Sequence, residues 1–570
     1  MIQWIERKID MDVARELESS LALSMIEARV LVARGIIDTE VASAFLNPSW
    51  DDLHDPFMFL EMEKAVSILG ESIDKGRKIL VHGDYDADGI NGAALIYRAL
   101  AAIGADVHFF VPDRAKDGYG LASRMMRRGV EAGLELVISV DCGSSDREII
   151  SFLAENGVRT IITDHHDISD RIPEADAFLN PKLPGETYPF KDLAGVGVAF
   201  KLLQGFQTVI QKDMGLTDLL DFVAVGTLGD YSPLTGENRA LVSLGLEKLG
   251  EWNRPGFAAL RQASNLVRSG FSAKQVCFNI VPRLNSPGRV GSARDVVELL
   301  VTDDSSKAGA IASEIETINS LRRSLDILVT EQASQLADVE MKKSNPNALV
   351  FSSPAWHEGV VGIGAARLAE KYSLPSALIA VRGNFGKGSA RSAGIVNVRE
   401  ALEKCSEYLT AYGGHREAGG FTVPENKIYD FTKCFDNAVK EISELSGRES
   451  VQAYDSRAGL KDCDIAMARS MERMGPFGPG NEEPLFLIER LKVLPGAKIV
   501  GSSHIKFDAG DGDSNRGSFI GFSLARAWNP VDLAGKMVDV LANLSINQWN
   551  NRENLQLIVR GIRIRESGAD

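Results

Sequence analysis

Cysteine is scarce in this chain of 570 residues: Cys142, Cys277, Cys405, Cys434 and Cys463 are the only five, far apart and without a Cys-x-x-Cys pair. An odd count at that spacing excludes a disulfide framework and a zinc ribbon, and leaves the thiols as reduced, structural residues. Long apolar runs are also missing. No stretch reaches about 18 apolar residues. The opening Met1-Ile-Gln-Trp-Ile-Glu-Arg-Lys8 has neither an apolar core nor a small-residue cleavage site, so no membrane span and no secretion are expected and the expected location is cytoplasmic. Positive charge is in deficit: 63 Lys and Arg against 78 Asp and Glu leave −15, which by itself argues against a nucleic-acid partner. The balance reverses from Pro484 onward, where 11 basic residues face 9 acidic ones and a polyanion could dock.

What is present is an ordinary globular composition, 44% hydrophobic and 25% charged, long enough for three or four domains of roughly 150 residues. Residues 1–75 carry helical patterns (Asp12 to Ala33, Glu40 to Leu46) and no cluster of catalytic residue types, which reads as a helical cap on the next domain. From Lys78 short apolar runs alternate with helical stretches: 78–82, 106–111, 134–140, 159–163 and 175–179. Repeated strand-then-helix units predict an α/β fold with a parallel, helix-covered sheet over residues 76–303. Between Ala310 and Lys343 there is no Gly or Pro, which predicts a long connecting helix within 304–345. A second, smaller α/β unit is expected over 346–450, with two Gly-rich elements (Gly386-Lys-Gly-Ser-Ala-Arg-Ser, Gly413-Gly-His-Arg-Glu-Ala-Gly-Gly). After Gly475-Pro-Phe-Gly-Pro-Gly the chain becomes strand-rich, so 451–570 reads as a linker and a small β-barrel.

The densest chemistry lies in His82-Gly-Asp-Tyr-Asp-Ala-Asp-Gly89. Alternate residues of an extended strand end face one way, so His82, Asp84, Asp86 and Asp88 can converge, and such a set is self-repelling without a cation. A calcium loop is the competing reading, but the twelfth loop position is Leu95 and carries no carboxylate. Asp141 and Asp164-His165-His166 come after two further apolar runs, and Asp230 closes Val225-Gly-Thr-Leu-Gly. Each Asp alone reads as a helix N-cap. Together, carboxylates and imidazoles without a thiolate outline a dinuclear Mn²⁺ or Mg²⁺ site.

Asp84-Tyr-Asp-Ala-Asp-Gly, Pro112-Asp-Arg-Ala-Lys-Asp-Gly-Tyr-Gly-Leu, Val140-Asp-Cys-Gly, Thr163-Asp-His-His, Gly195-Val-Gly-Val-Ala, Gly226-Thr-Leu-Gly-Asp and Pro282-Arg-Leu-Asn-Ser-Pro-Gly-Arg resemble, in order, the catalytic core of the RecJ exonucleases of the DHH superfamily. Trp356-His-Glu-Gly-Val-Val-Gly-Ile, Lys387-Gly-Ser-Ala-Arg-Ser and Gly413-Gly-His resemble the DHHA1 domain of that family. Gly475-Pro-Phe-Gly-Pro-Gly-Asn, Ser503-His-Ile-Lys and Asn547-Gln-Trp-Asn resemble its oligonucleotide-binding (OB) domain. The chain departs from the family pattern at Asn91-Gly92, where Thr-Ser is usual, and at Gly229, where Ala is usual, with Tyr231-Ser232 next to it.

The resemblance implies a 5′→3′ exonuclease on single-stranded DNA, acting in recombination and repair and releasing 5′-mononucleotides. It implies His82, Asp86, Asp88, Asp141, His165 and Asp230 as ligands to two cations with Asp141 bridging, Asp84 and Asp164 behind the imidazoles, and His166 near the scissile phosphate. Arg289, in Asn285-Ser-Pro-Gly-Arg read as a loop, is a candidate clamp on a phosphate oxygen; its plain alternative is a surface ion pair. Arg114, Ser389 and Arg391 are implied as the holders of the 5′-phosphate, with the Gly-Ser-Ala-Arg segment read as a turn offering backbone N–H groups. His415 would meet substrate phosphate. Lys506 and Trp549 would capture the strand by charge and stacking, although Trp549 reads equally as a plug of the barrel core. Expected partners are single-stranded DNA, a RecQ-type helicase and a single-stranded-DNA-binding protein, with the chain a monomer. Two other functions remain open at this point: a DHH phosphodiesterase acting on short oligoribonucleotides, and a non-catalytic DNA-binding scaffold.

Overall fold

The computed structural model describes residues 3–114, 116–168, 171–266, 272–392, 394, 396–446, 451–501, 503–549 and 552–565. The chain opens with strand β1 (Gln3–Glu6) and helices Met11–Leu21, Met25–Ala33 and Thr39–Leu46. Each helix starts on a side-chain cap, Asp10, Ser24 and Asp38, which satisfies amide groups that a helix leaves free at its start. Ala22, in the left-handed region, separates the first two helices, where the sequence pattern runs on without a break. These helices do not cap the adjoining sheet. Leu17, Ala28, Leu31 and Leu46 share one apolar core with Met467, Met471, Met474 and Phe486 from the far side of the sequence. The methionine-bearing helix Ile465–Glu472 covers their apolar face, and Arg34 secures the junction through Asp455, Asn481 and the carbonyl of Glu482. Phe45 of the third helix reaches the neighbouring α/β domain, its carbonyl and its ring both meeting Arg239, and the next α-helix, Met62–Asp74, packs into that domain's core.

Strands β2 (Ile79–Gly83), β3 (Val107–Phe110), β4 (Leu136–Val140), β5 (Arg159–Thr163) and β6 (Ala177–Leu179) form an all-parallel sheet in the order β3-β2-β4-β5-β6. The central strands are buried throughout, which explains their continuous apolar runs. The chain leaves β2 for β3 on one side and then returns to β4 on the other. The crevice beyond the carboxyl ends of β2 and β4 is therefore the switch point where open α/β sheets bind ligands.

The connecting helix runs from Ser305 to Lys343, 39 residues or about 58 Å. Beyond it lies a second sheet of β7 (Leu349–Ser353), β8 (Ser376–Arg382), β9 (Phe385–Arg391), β10 (Ala411–Gly414) and β11 (Ala418–Pro424), ordered β10-β11-β9-β8-β7. Fully buried Trp356 anchors this unit: it packs with Val329, Ala333 and Ala337 of the long helix and donates Nε1–H to Gln332 Oε1 at 2.7 Å. Trp356→Ala should cost about 3–5 kcal/mol, read as a lower midpoint of chemical denaturation; an unchanged midpoint contradicts that packing.

The C-terminal part contains β12 (Val451–Tyr454), which pairs in parallel with β1, and β13 (Ser456–Arg457). It continues through β14 (Phe486–Val493), β15 (Lys498–Val500), β16 (His504–Gly510), β17 (Arg516–Gly521), β18 (Met537–Trp549) and β19 (Arg552–Ile564). The order β13-β14-β18-β19-β17-β16-β15, with an added β14–β16 pairing, closes the sheet into a barrel around Phe507, Phe519 and Val540. Among the described residues no helix is long and apolar enough to cross a membrane.

Candidate metal centre

Three strand ends supply most of the site. β2 delivers Asp84, Asp86 and Asp88, β4 delivers Asp141, and β5 delivers Asp164, His165 and His166. Asp230 arrives differently from the strand-end pattern read in the sequence: it is the last residue of helix Leu220–Asp230. Asp86 also fulfils the plain reading of an aspartate in this position, because it caps helix Ala87–Ala102 by accepting the amides of Asp88 and Gly89. Asp88 is held by the start of helix Gly195–Ile210, accepting Gly195 N–H at 2.7 Å and Val196 N–H at 2.8 Å. Asp141 has φ +60°, a conformation costing about 1–3 kcal/mol for a residue with a side chain. Its amide donates to the Thr163 carbonyl at 2.9 Å, which holds it there.

The ligand-type atoms of three groups lie within 4.8 Å of one another: Asp141 with His165 and His166, Asp88 with His165 and Asp230, and Asp84 with Asp86 and Asp141. His165 Nε2 is central, 3.1 Å from Asp141 Oδ1, 3.8 Å from Asp88 Oδ2 and 3.9 Å from Asp230 Oδ1. Despite the short approach to Asp141 the geometry is not that of a hydrogen bond. Among the described residues His165 Nε2, Asp141 Oδ1 and Asp84 Oδ1 are buried without a hydrogen-bond partner, and such atoms cost about 1–3 kcal/mol each unless something else pairs with them.

Electrostatics agree. Burial first, and neighbouring carboxylates second, raise the pKa of Asp84, Asp86, Asp88 and Asp141. Carboxylates that cannot all ionise beside one another, around an imidazole with a free nitrogen, are the donor set for hard or borderline divalent cations. Asp164 behaves in the opposite way: burial works against its charge, but the His166 hydrogen bond and the charges of His166 and His165 outweigh it and hold the carboxyl below the usual range. It accepts His166 Nδ1 at 2.8 Å and the amides of His165 and Ser144, at 2.8 and 2.9 Å. Burial likewise opposes charge on His166, but Asp164 overrides it and raises that ring to about 9.

His82 stands apart from the cluster as placed. Its Nε2 accepts the Ala122 amide at 3.1 Å and its Nδ1 faces the Cys142 thiol at 3.6 Å, and burial lowers its pKa to about 4.

Beside the carboxylates lies a patch of guanidinium groups. Burial and then the neighbouring Arg114 and Arg322 lower the pKa of Arg289 to about 10, and burial and Arg114 lower that of Arg391. Among the described residues no carboxylate forms an ion pair with Arg114, Arg289 or Arg391. Arg391 Nη1 donates to Ser389 Oγ at 2.8 Å. Two local expectations need correction. Gly386-Lys-Gly-Ser-Ala-Arg is strand β9, its backbone committed to the ladders with β8 and β11, so it is not a turn with amides to spare. Arg289 sits in helix Val281–Val290 instead of a loop, and Asn285 of that helix accepts the Ala87 amide at 2.7 Å.

His415 comes directly after β10, exposed, with Nδ1 3.6 Å from Asp167 across the gap between the two α/β units. Lys506 lies on β16 between Lys498 and Ile520 of the adjoining strands. Trp549 ends β18, but its side chain lies outside the described residues. Tyr119 is a site residue that the sequence reading misses: its hydroxyl is 3.2 Å from His166 Nδ1. The signal available is an aromatic residue between two glycines in Gly118-Tyr-Gly120. The two glycine departures have a packing reason. A Cβ on Gly92 would come within 2.3 Å of Val140 Cγ1, and one on Gly229 within 2.6 Å of Ala87 Cβ.

Family models match in the same order as the three units: the DHH family N-terminal domain over 78–227, the DHHA1 domain over 345–441 and the RecJ OB domain over 454–561. The chain is 33% identical to the single-stranded-DNA-specific exonuclease RecJ of Bacillus subtilis, over 99% of this chain and 71% of that protein. It is 32% identical to the Escherichia coli protein of the same name, over 88% and 90%. The chain belongs to the RecJ family. Crystal structures of RecJ from Thermus thermophilus superpose along 99% of the chain. The Mn²⁺ complex gives a TM-score of 0.84 at 29% identity, covering 80% of that protein, and the Mg²⁺ complex 0.78 at 28%, covering 79%. The succession of parallel-sheet, DHHA1 and OB units is thus the architecture of RecJ.

Proposed function

We propose that this chain is a single-stranded-DNA-specific exonuclease that removes 5′-mononucleotides from the 5′ end, in the service of recombination and repair. The observation that carries this reading is the joining of two incompatible-looking sets: carboxylates that repel one another, next to guanidiniums without carboxylate partners among the described residues. Divalent cations would satisfy the first set and a phosphate the second.

Asp86, Asp88, Asp141, His165 and Asp230 are the residues that would hold two Mn²⁺ or Mg²⁺ ions, Asp141 belonging to two of the three groups. His82 enters this set only with a rotated ring, because both its nitrogens already face protein groups. Such ions activate water and offset the charge on the phosphoryl oxygens when bound. The protein contributes the rest. Asp164 fixes the His166 ring through Nδ1 and favours its charged form, which leaves the other ring nitrogen to donate to an oxygen of the scissile phosphate. Arg289 meets a neighbouring phosphate oxygen. Arg114, Ser389 and Arg391 bind the terminal 5′-phosphate, and this sets both the end preference and the length of the product. In this reading residues 76–303 do the chemistry, the helix of 304–345 spaces the DHHA1 unit of 346–450 from it, and the barrel within 451–570 captures the strand through Lys506 and Trp549. The resident partners are single-stranded DNA, a delivering helicase and a single-strand-binding protein.

A single strand carrying a label at one end decides the polarity. A 5′ label should leave as a mononucleotide in the first turnovers and a 3′ label only at the end; the reverse order, or equal cutting of duplex, overturns the assignment. Arg391→Ala should raise KM for a 5′-phosphorylated strand by about 10- to 100-fold, the loss of a charge-assisted contact of roughly 1.5–3 kcal/mol. The same variant should do little on a strand with a 5′-hydroxyl; equal losses on both substrates would remove Arg391 from the terminal pocket.

A further inference from the structure

The five cysteines are scattered in sequence, but two of them meet in the DHHA1 unit. Cys405 caps the end of helix Val398–Lys404 and Cys434 lies in helix Ile428–Ser446, with their Sγ atoms 2.6 Å apart. Both are free thiols, and among the described residues no other two cysteines are in contact. The pair is held from both sides. Ala401 and Leu402 seat the first helix in the same apolar core into which Phe431, Phe435 and Ala438 seat the second. Cys405 is buried, whereas Cys434 is half-buried and lines an open groove with Lys404, Lys433 and Glu441. One sulfur is therefore reachable from solvent, and the other waits behind it.

We propose that Cys405 and Cys434 form a dithiol modification site, closed to a disulfide by a two-electron oxidant of the peroxide class. Cys434 attacks one oxygen of hydrogen peroxide, the O–O bond breaks, and hydroxide leaves to take up the thiol proton as water; the sulfur is now a sulfenic acid. Cys405 attacks that sulfur, the S–O bond breaks, and a second water departs with the Cys405 proton. Two thiols are oxidised and one peroxide is reduced to two waters. Bonded sulfurs sit at about 2.05 Å, so the approach needed is a fraction of an ångström and neither helix has to unwind. The closed loop spans β10, the turn with His415, and β11, which pairs with β9 and its Ser389 and Arg391. Oxidation thereby ties the two ends of the segment that pairs with the strand carrying Ser389 and Arg391. The site is independent of the proposed nuclease chemistry.

The test uses the full-length native protein treated with hydrogen peroxide, then alkylated and mapped by mass spectrometry. The expected result is a peptide pair joined through Cys405 and Cys434, lighter by two hydrogen atoms and separated again by dithiothreitol. Phenylarsine oxide, which bridges two adjacent thiols, should block the reaction. Cys405→Ser should leave Cys434 as a sulfenic acid that dimedone traps, and this second readout stands even if the serine variant alters stability. Sulfinic acid on Cys434 of the wild-type protein without any crosslink, a crosslink joining two chains, or a link that forms only in denaturant would each overturn the proposal.

Discussion

Asp141→Ala should lower single-strand hydrolysis by about 10³-fold or more while leaving the protein folded. Asp141 is common to two of the three ligand groups, so its removal takes a ligand from both of those groups at once. Several kcal/mol of transition-state stabilisation are at stake, and each 1.36 kcal/mol is tenfold in rate. The stability change should run the other way. Without cations Asp141 is a buried carboxyl whose ionisation is opposed by burial and by Asp88, Asp86, Asp230 and Asp84, so the alanine variant stripped of metal should melt no lower than the stripped wild type. Rate measurement and thermal melting on the same preparation separate the possibilities. Full activity sinks the assigned centre, and a large fall in melting temperature would mean that the loss of rate reports misfolding.

Removal of divalent cations should abolish activity altogether, and Mn²⁺ or Mg²⁺ should restore it. The accompanying readout is stability. A ligand at a hundredfold excess over its dissociation constant contributes about 2.7 kcal/mol, which for a domain of this size corresponds to roughly 5–10 °C. The unpartnered His165 Nε2, Asp141 Oδ1 and Asp84 Oδ1 are the atoms that gain partners. Chelated protein should therefore melt lower than protein in Mn²⁺, and Asp141→Ala should show only a fraction of that increment. Undiminished hydrolysis in chelator, together with a melting temperature indifferent to Mn²⁺, would show that the carboxylates serve another purpose.

The parallel sheet is legible in the sequence because its strands are buried on both faces and so write themselves as unbroken apolar runs. The long helix is legible because nothing between Ala310 and Lys343 interrupts it. The site is legible in residue type, because aspartates and histidines at strand ends have few other reasons to gather. Its orientation is not. Whether His82 turns toward the carboxylates depends on the Ala122 amide, supplied 40 residues further along, and no local pattern encodes that contact. The Gly-Ser-Ala-Arg segment misleads for a related reason. Glycines commonly announce turns, but here they keep a strand narrow: a Cβ on Gly388 would strike the ring of Phe421. The destination of the first three helices is equally hidden, since an amphipathic helix shows that it has a partner without naming it.

Strand β1 has its hydrogen-bonding partner in β12, so this early segment cannot be completed on the ribosome until residues 451–454 have been translated. At about 5–20 residues per second that delay is tens of seconds, during which Leu17, Leu31 and their neighbours lack the methionines that later cover them. A nascent chain of this protein thus carries a sticky patch for most of its synthesis. The helices wait uncovered until the segment that shelters them is made.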